Sequence, residues 1–159
     1  MSTDEPILEQ WIARTVQSYP SSAVAFLSHE EDPFRNPVGH TLRQSLTILY
    51  NELRGSMEAT RIASALDAIV RIRAVQDLSP SQAVGFVFLL KLIVREHAQQ
   101  SGQALLDDRI DNRIHDRMDE RIDRLALVAF DKYMLCREQV AEIRKRESWQ
   151  RMGACHATG

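Results

Sequence analysis

The chain has 159 residues, 44% of them hydrophobic and 26% charged, which is a length for one domain and enough apolar material for one core. Its 20 lysines and arginines nearly balance 22 acidic residues, so no global field draws in nucleic acid or an acidic membrane surface. The opening residues are acidic instead of basic and apolar, and no run reaches the roughly 18 to 20 apolar residues of a membrane span; a cytoplasmic protein without a leader is expected.

In chain order, Asp4 or Thr3 caps a first helix in which Ile7, Leu8, Trp11, Ile12 and Val16 fall at three- and four-residue spacing, ending near Tyr19-Pro20. A short apolar piece, Ala23 to Leu27, precedes Glu30 to Gly39, where two prolines, an asparagine and a glycine read as a loop. Thr41 to Leu53 is the next amphipathic stretch, closed by Gly55-Ser56. Met57 to Gln76 then carries Ile62, Leu66, Ile69, Val70 and Val75 on a helical stripe. Ser79 as N-cap, Pro80 at the first helical position and Gln82 three residues after the cap mark the start of a helix running to about Gln99. Within it Val84, Phe86, Val87, Phe88, Leu89, Leu90, Leu92, Ile93 and Val94 leave almost no polar face beyond Lys91 and Arg95. That pattern predicts a central core helix, with Phe88 buried.

After Ser101-Gly102 the chain reaches Arg151 without a proline or glycine, far beyond the about 11 to 12 residues of an ordinary globular helix. One long terminal helix, or two with a kink, is predicted. Its first half repeats a four-residue unit, Arg109-Ile110, Arg113-Ile114, Arg117-Met118 and Arg121-Ile122. A repeat of four exceeds the 3.6 residues of a turn, so the apolar stripe winds round the helix. A solvated, charge-laced helix and a coiled dimer contact fit this pattern equally. No strand alternation is present, and the prediction is an all-α bundle of five to six helices over residues 1–151, with a flexible tail at 152–159.

No glycine-rich phosphate loop, Gly-x-Ser-x-Gly elbow, His-Glu-x-x-His pair or Cys-His-Asp set occurs, so no enzyme and no catalytic residue is expected. Cys136 and Cys155 are far apart and lack a histidine at metal-ligand spacing, which argues against a disulfide framework or a metal site. Four residues are ligand-binding candidates. Arg73 precedes the free amides at Ser79 and Ser81, a ready anion site if the turn folds back, although Arg71 and Arg73 also suit the negative end of their own helix. His97 shares a stripe with Phe86 and Leu90 and is the candidate for haem iron; its polar neighbours Arg95 and Glu96 argue for a solvated helix end, and no cofactor is expected.

Three stretches carry a family resemblance: Asn36-Pro37-Val38-Gly39-His40-Thr41-Leu42; the run Ile69-Val70-Arg71-Ile72-Arg73-Ala74-Val75-Gln76-Asp77-Leu78-Ser79-Pro80-Ser81-Gln82-Ala83-Val84-Gly85-Phe86-Val87-Phe88-Leu89-Leu90-Lys91; and Ala129-Phe130-Asp131-Lys132-Tyr133-Met134. From about Trp11 to Arg146 the chain resembles the RsbRD-type N-terminal domain, the sensor module of RsbT co-antagonist proteins. The resemblance implies a globin-like fold without haem, a homodimer, and a signalling or scaffold role of the stressosome kind in stress response. In that family the module feeds a STAS domain, and the sequence ending at Gly159 has the look of a stand-alone form. Stand-alone relatives of this kind imply an accessory role near redox and sulfur-respiration systems, with a signalling or electron-transfer component as a further partner.

Dimerisation also follows from the residues. Leu125, Leu127, Phe130, Tyr133 and Met134 put apolar side chains on more than one face of the terminal helix, and one core covers only one face; these five are the interface candidates. The competing reading is a carrier or sensor that holds haem, an anion or a fatty acid among its helices.

Overall fold

A computed structural model describes residues 4–21, 23, 24, 27, 34–76, 78–100 and 108–156; the side chains of residues 4, 5, 100, 108–115 and 154–156 are outside that description. Five helices follow one another: α1 (Asp4–Gln17), α2 (Pro37–Arg54), α3 (Ala59–Ala74), α4 (Pro80–Gln100) and α5 (Asp108–His156). No strand occurs among the described residues, in agreement with an all-α bundle with a long last helix. The expected piece from Ala23 to Leu27 and the loop from Glu30 lie partly outside the described residues.

Two helix starts differ from the sequence expectation, each for a capping reason. The loop ends at Asn36, not at Gly39: the Asn36 side chain accepts from Gly39 N at 2.7 Å, and Pro37 opens α2. A Cβ on Gly39 would lie 2.2 Å from the Asn36 side chain, so the glycine serves the cap. Helix α3 begins at Ala59 because Met57 adopts φ 58°, a left-handed turn conformation, and the Glu58 carboxylate accepts from Thr60 N and Arg61 N. Val75, expected on the α3 stripe, sits at the C-cap and is exposed. At the other end α5 continues as helix to His156, into the segment expected to be a flexible tail.

The helices assemble as α2 on α3, α1 on α4, and both α3 and α4 on α5. Trp11 is completely buried, stacks on Phe86 with ring centroids 6.3 Å apart, and donates its indole N–H to the Phe86 carbonyl at 2.7 Å. An indole buried without such an acceptor would be costly, so this bond sets the height of α1 on α4. Helices α4 and α5 run antiparallel: Arg95 meets Asp119 at 2.7 Å, Lys91 meets Asp123 at 2.8 Å, and the Tyr133 hydroxyl donates to the carbonyl of Leu78 just before α4.

The α2–α3 turn is fixed from two sides. Glu52, 4% exposed, accepts from Glu58 N at 2.9 Å and pairs with Arg61 at 3.0 Å. From α5, Arg121 donates to the carbonyls of Leu53 and Gly55 at 2.6 and 3.0 Å, placing a cation on the negative end of α2. One arginine of the four-residue repeat is thereby a docking group, and its neighbour Ile122 lies in the core. The side chains of the earlier repeats, Arg109 to Ile114, lie outside the described residues.

The expectation that α4 is enclosed on all sides is corrected. Phe86, Val87, Leu90 and Ile93 are buried, but Phe88 is 47% and Leu92 52% exposed. At about 100° per residue, Phe88 points some 200° away from Phe86, and among the described residues no helix fully covers that side.

Arg121→Met is expected to lower unfolding stability by about 1 to 3 kcal/mol, because two helix-end carbonyls lose a charged donor. Arg117→Met, on an exposed turn of the same repeat, should stay within about 0.5 kcal/mol. Urea titrations give both values, and equal shifts would contradict the docking role of Arg121.

Candidate functional site

The capping box forms as its sequence predicts. Ser79 Oγ accepts from Gln82 N at 3.3 Å while Gln82 Oε1 accepts from Ser79 N at 3.0 Å, and the hydroxyls of Ser79 and Ser81 lie 3.1 Å apart at the surface. The chain's own groups thus take up part of the helix start. Arg73 does not join the serines to make the anticipated anion site. It is 1% exposed, with Nη1 donating to the Gln82 carbonyl at 3.1 Å and Nη2 to Ser18 Oγ at 2.8 Å.

Among the described residues, aromatic faces accompany this buried cation. The guanidinium lies 4.6 Å from the centroid of the Tyr19 ring and 5.1 Å from that of Phe86, positions in which the ring quadrupoles attract a cation. With Trp11 stacked on Phe86, four side chains from α1, its C-terminal extension, α3 and α4 form one cluster. Burial pushes the Arg73 guanidinium down from its ordinary value, opposed by Tyr19. Burial likewise pushes the Tyr19 phenol up, opposed by the Arg73 charge. Among the described residues neither Arg73 Nε nor the Tyr19 hydroxyl, both buried, has a hydrogen-bond partner of good geometry.

His97 stands at the other end of α4, where its Nε2 meets Gln10 Oε1 at 3.0 Å. Its neighbour Glu96 forms an ion pair with Arg14 at 2.5 Å. The histidine therefore belongs to the polar contact between α1 and α4. Among the described residues no group of three or more histidine, cysteine, aspartate or glutamate side chains is placed to hold a metal ion. Cys136 is buried, and burial, followed by Asp67, pushes its thiol up against the pull of Arg71 and Lys132.

The terminal-helix candidates divide by exposure. Leu125 and Tyr133 are 1% and 0% exposed inside the chain's own core, which corrects their assignment to a surface. Leu127, Phe130 and Met134 are exposed, Leu127 by 69%. They follow Asp123 at steps of four, three and four residues, so they continue the edge of α5 that touches Lys91 on α4. Phe88 and Leu92 flank Lys91 on the adjoining edge of α4. The two antiparallel helices therefore present one apolar face, crossed by the Lys91–Asp123 pair and bounded at one end by the Arg95–Asp119 pair.

The model of the RsbT co-antagonist protein rsbRD N-terminal domain matches residues 5–148. The chain belongs to this family. No curated protein and no solved structure matches it. The matched span of this RsbRD-type domain includes the Arg73 cluster and the α4–α5 face, and the family is one of regulatory sensor-type modules. No helix among the described residues is long and apolar enough to cross a membrane.

Sequence reasoning missed Tyr19 as the partner of Arg73. The usable signal was an arginine at a helical position otherwise reserved for apolar residues, Ile69, Val70 and Ala74. It also missed Phe88 and Leu92 as surface residues, because an all-apolar helix offers no contrast from which to read its covered side.

Tyr19→Phe is expected to leave stability at neutral pH within about 1 kcal/mol, since it deletes a hydroxyl that makes no well-formed hydrogen bond to a described residue. The raised phenol stays neutral in the fold while the unfolded chain ionises near pH 10, so its contribution is complete below about pH 10 and declines as pH rises further. The substitution should remove that share of the alkaline loss, measured as urea midpoints between about pH 9 and 11. An unchanged alkaline slope would show that Tyr19 titrates as it does in the unfolded chain. Ser79→Ala, by loss of the α4 cap, should cost about 0.5 to 2 kcal/mol in the same assay.

Proposed function

We propose that this RsbRD-type domain is a non-catalytic sensor or scaffold module of the stressosome kind that acts as a homodimer through α4 and α5. The observation that carries the reading is the uncovered face of Phe88, Leu92, Leu127, Phe130 and Met134. Monomers rarely leave contiguous apolar patches of this sort in water. A two-fold axis beside the α4–α5 pair brings each apolar edge against its own copy and closes a four-helix bundle, a self-complementary solution. The Lys91–Asp123 pair lies within the face with its charges matched inside one protomer, and the Arg95–Asp119 pair marks the end of the face. Signalling in this reading means a change in how the two copies, or a further protein, sit on that face. The family's regulatory character supports a non-catalytic role.

Light scattering at micromolar protein tests the reading. The unaltered chain is expected at twice the protomer mass, and Leu127→Asp with Phe130→Asp at the protomer mass, with unchanged helical circular dichroism because both positions lie outside the core. A monomeric mass for the unaltered chain would sink the homodimer and assign the same face to a different protein.

A further inference from the structure

Away from the α4–α5 face, α1 and α2 flank a half-open surface pocket of about 150 Å³. From α1 it is lined by Glu9, Ile12, Ala13 and Val16, which fall on one helical face; from α2 by Gly39 and Arg43, one turn apart; and it is closed by Leu27. Its wall is apolar except for Glu9 and Arg43, whose carboxylate and guanidinium meet at 2.7 Å. Both side chains are more than half exposed, 53% and 55%, so the pair faces water at the mouth of the pocket.

We propose that this pocket binds a free α-amino acid with a short aliphatic side chain. An exposed ion pair contributes little to stability and can be opened by a ligand that satisfies both halves. An α-amino acid does so with groups one carbon apart: its carboxylate goes to Arg43, which offers a planar two-donor fork, and its ammonium goes to Glu9. The side chain then lies against Ile12, Val16 and Leu27 in a pocket whose volume of about 150 Å³ suits a short aliphatic group. The mouth is neutral overall, which disfavours the alternatives. A simple carboxylate would meet Glu9 as a like charge, a simple amine would meet Arg43, and a phosphate would meet both a repelling carboxylate and an apolar wall. Glycine would leave the apolar space empty. The assignment deepens the sensor reading by naming the class of signal, and it rests on that reading for its purpose.

Titration calorimetry on the full chain tests it with L-leucine, its deaminated analogue 4-methylpentanoate, its decarboxylated analogue isoamylamine, and glycine. Leucine is expected to bind, with each of the other three weaker by about tenfold or more. Glu9→Gln and Arg43→Gln should each weaken leucine by about tenfold or more while leaving circular dichroism and the unfolding midpoint in place. Ala13→Leu fills the pocket from an exposed position and should abolish binding in a folded protein. Absence of heat with millimolar leucine, equal binding of either one-charge analogue, or full binding by the Ala13→Leu protein would overturn the proposal. None of these results alters the mass measured by light scattering, so a failed ligand and a failed dimer are told apart.

Discussion

A buried cation held by aromatic faces orients the helices around it. Arg73 lies between Tyr19 and Phe86, and Phe86 in turn stacks on Trp11. A guanidinium tolerates removal from water better than an ammonium does, because its charge is delocalised and its planar face stacks. Its hydrogen bonds to Ser18 and to the Gln82 carbonyl fix the distance between α3, the end of α1 and the first turn of α4. With Phe86 held inward by that cluster, the geometry of a helix turns Phe88 outward. The apolar face proposed for dimerisation is thus a consequence of how α4 is seated, and the sequence of α4 alone does not select it.

Local signals were legible where one residue type has one dominant use. Ser79-Pro80 with Gln82 announced the start of α4 because a hydroxyl acceptor, a ring lacking an N–H and a long amide each suit one position there. Asn36-Pro37 carries the same grammar, but a second proline at 33 and a glycine at 39 made the stretch read as a loop. Only the structure shows that Gly39 is required by the cap it follows. The long terminal helix was legible from the absence of breakers.

Long-range contacts left weaker traces. Arg121 binds backbone carbonyls, which every residue has, so nothing at Leu53 or Gly55 announces an arginine from α5. Its three counterparts in the repeat look identical in sequence. Glu9 and Arg43 are two ordinary surface charges until α1 and α2 are laid side by side. Of the interface candidates, Leu125 and Tyr133 could not be separated from Leu127, Phe130 and Met134 by composition. Their positions round the helix separate them, once Asp119 and Asp123 show where α4 lies.

The last helix also sets a mechanical scale. From Ala141 to Gly153 every side chain is exposed, and the helix continues to His156, giving about 24 Å of rod beyond the bundle. A rod of that length acts as a pointer: a tilt of about 10° where α5 meets α4 displaces its tip by about 4 Å. That is comparable to one helical turn of about 5.4 Å, the register step by which one packed helix moves past another. Small rearrangements among the buried side chains are therefore magnified at the far end of the chain, where Trp149 and Met152 stand exposed.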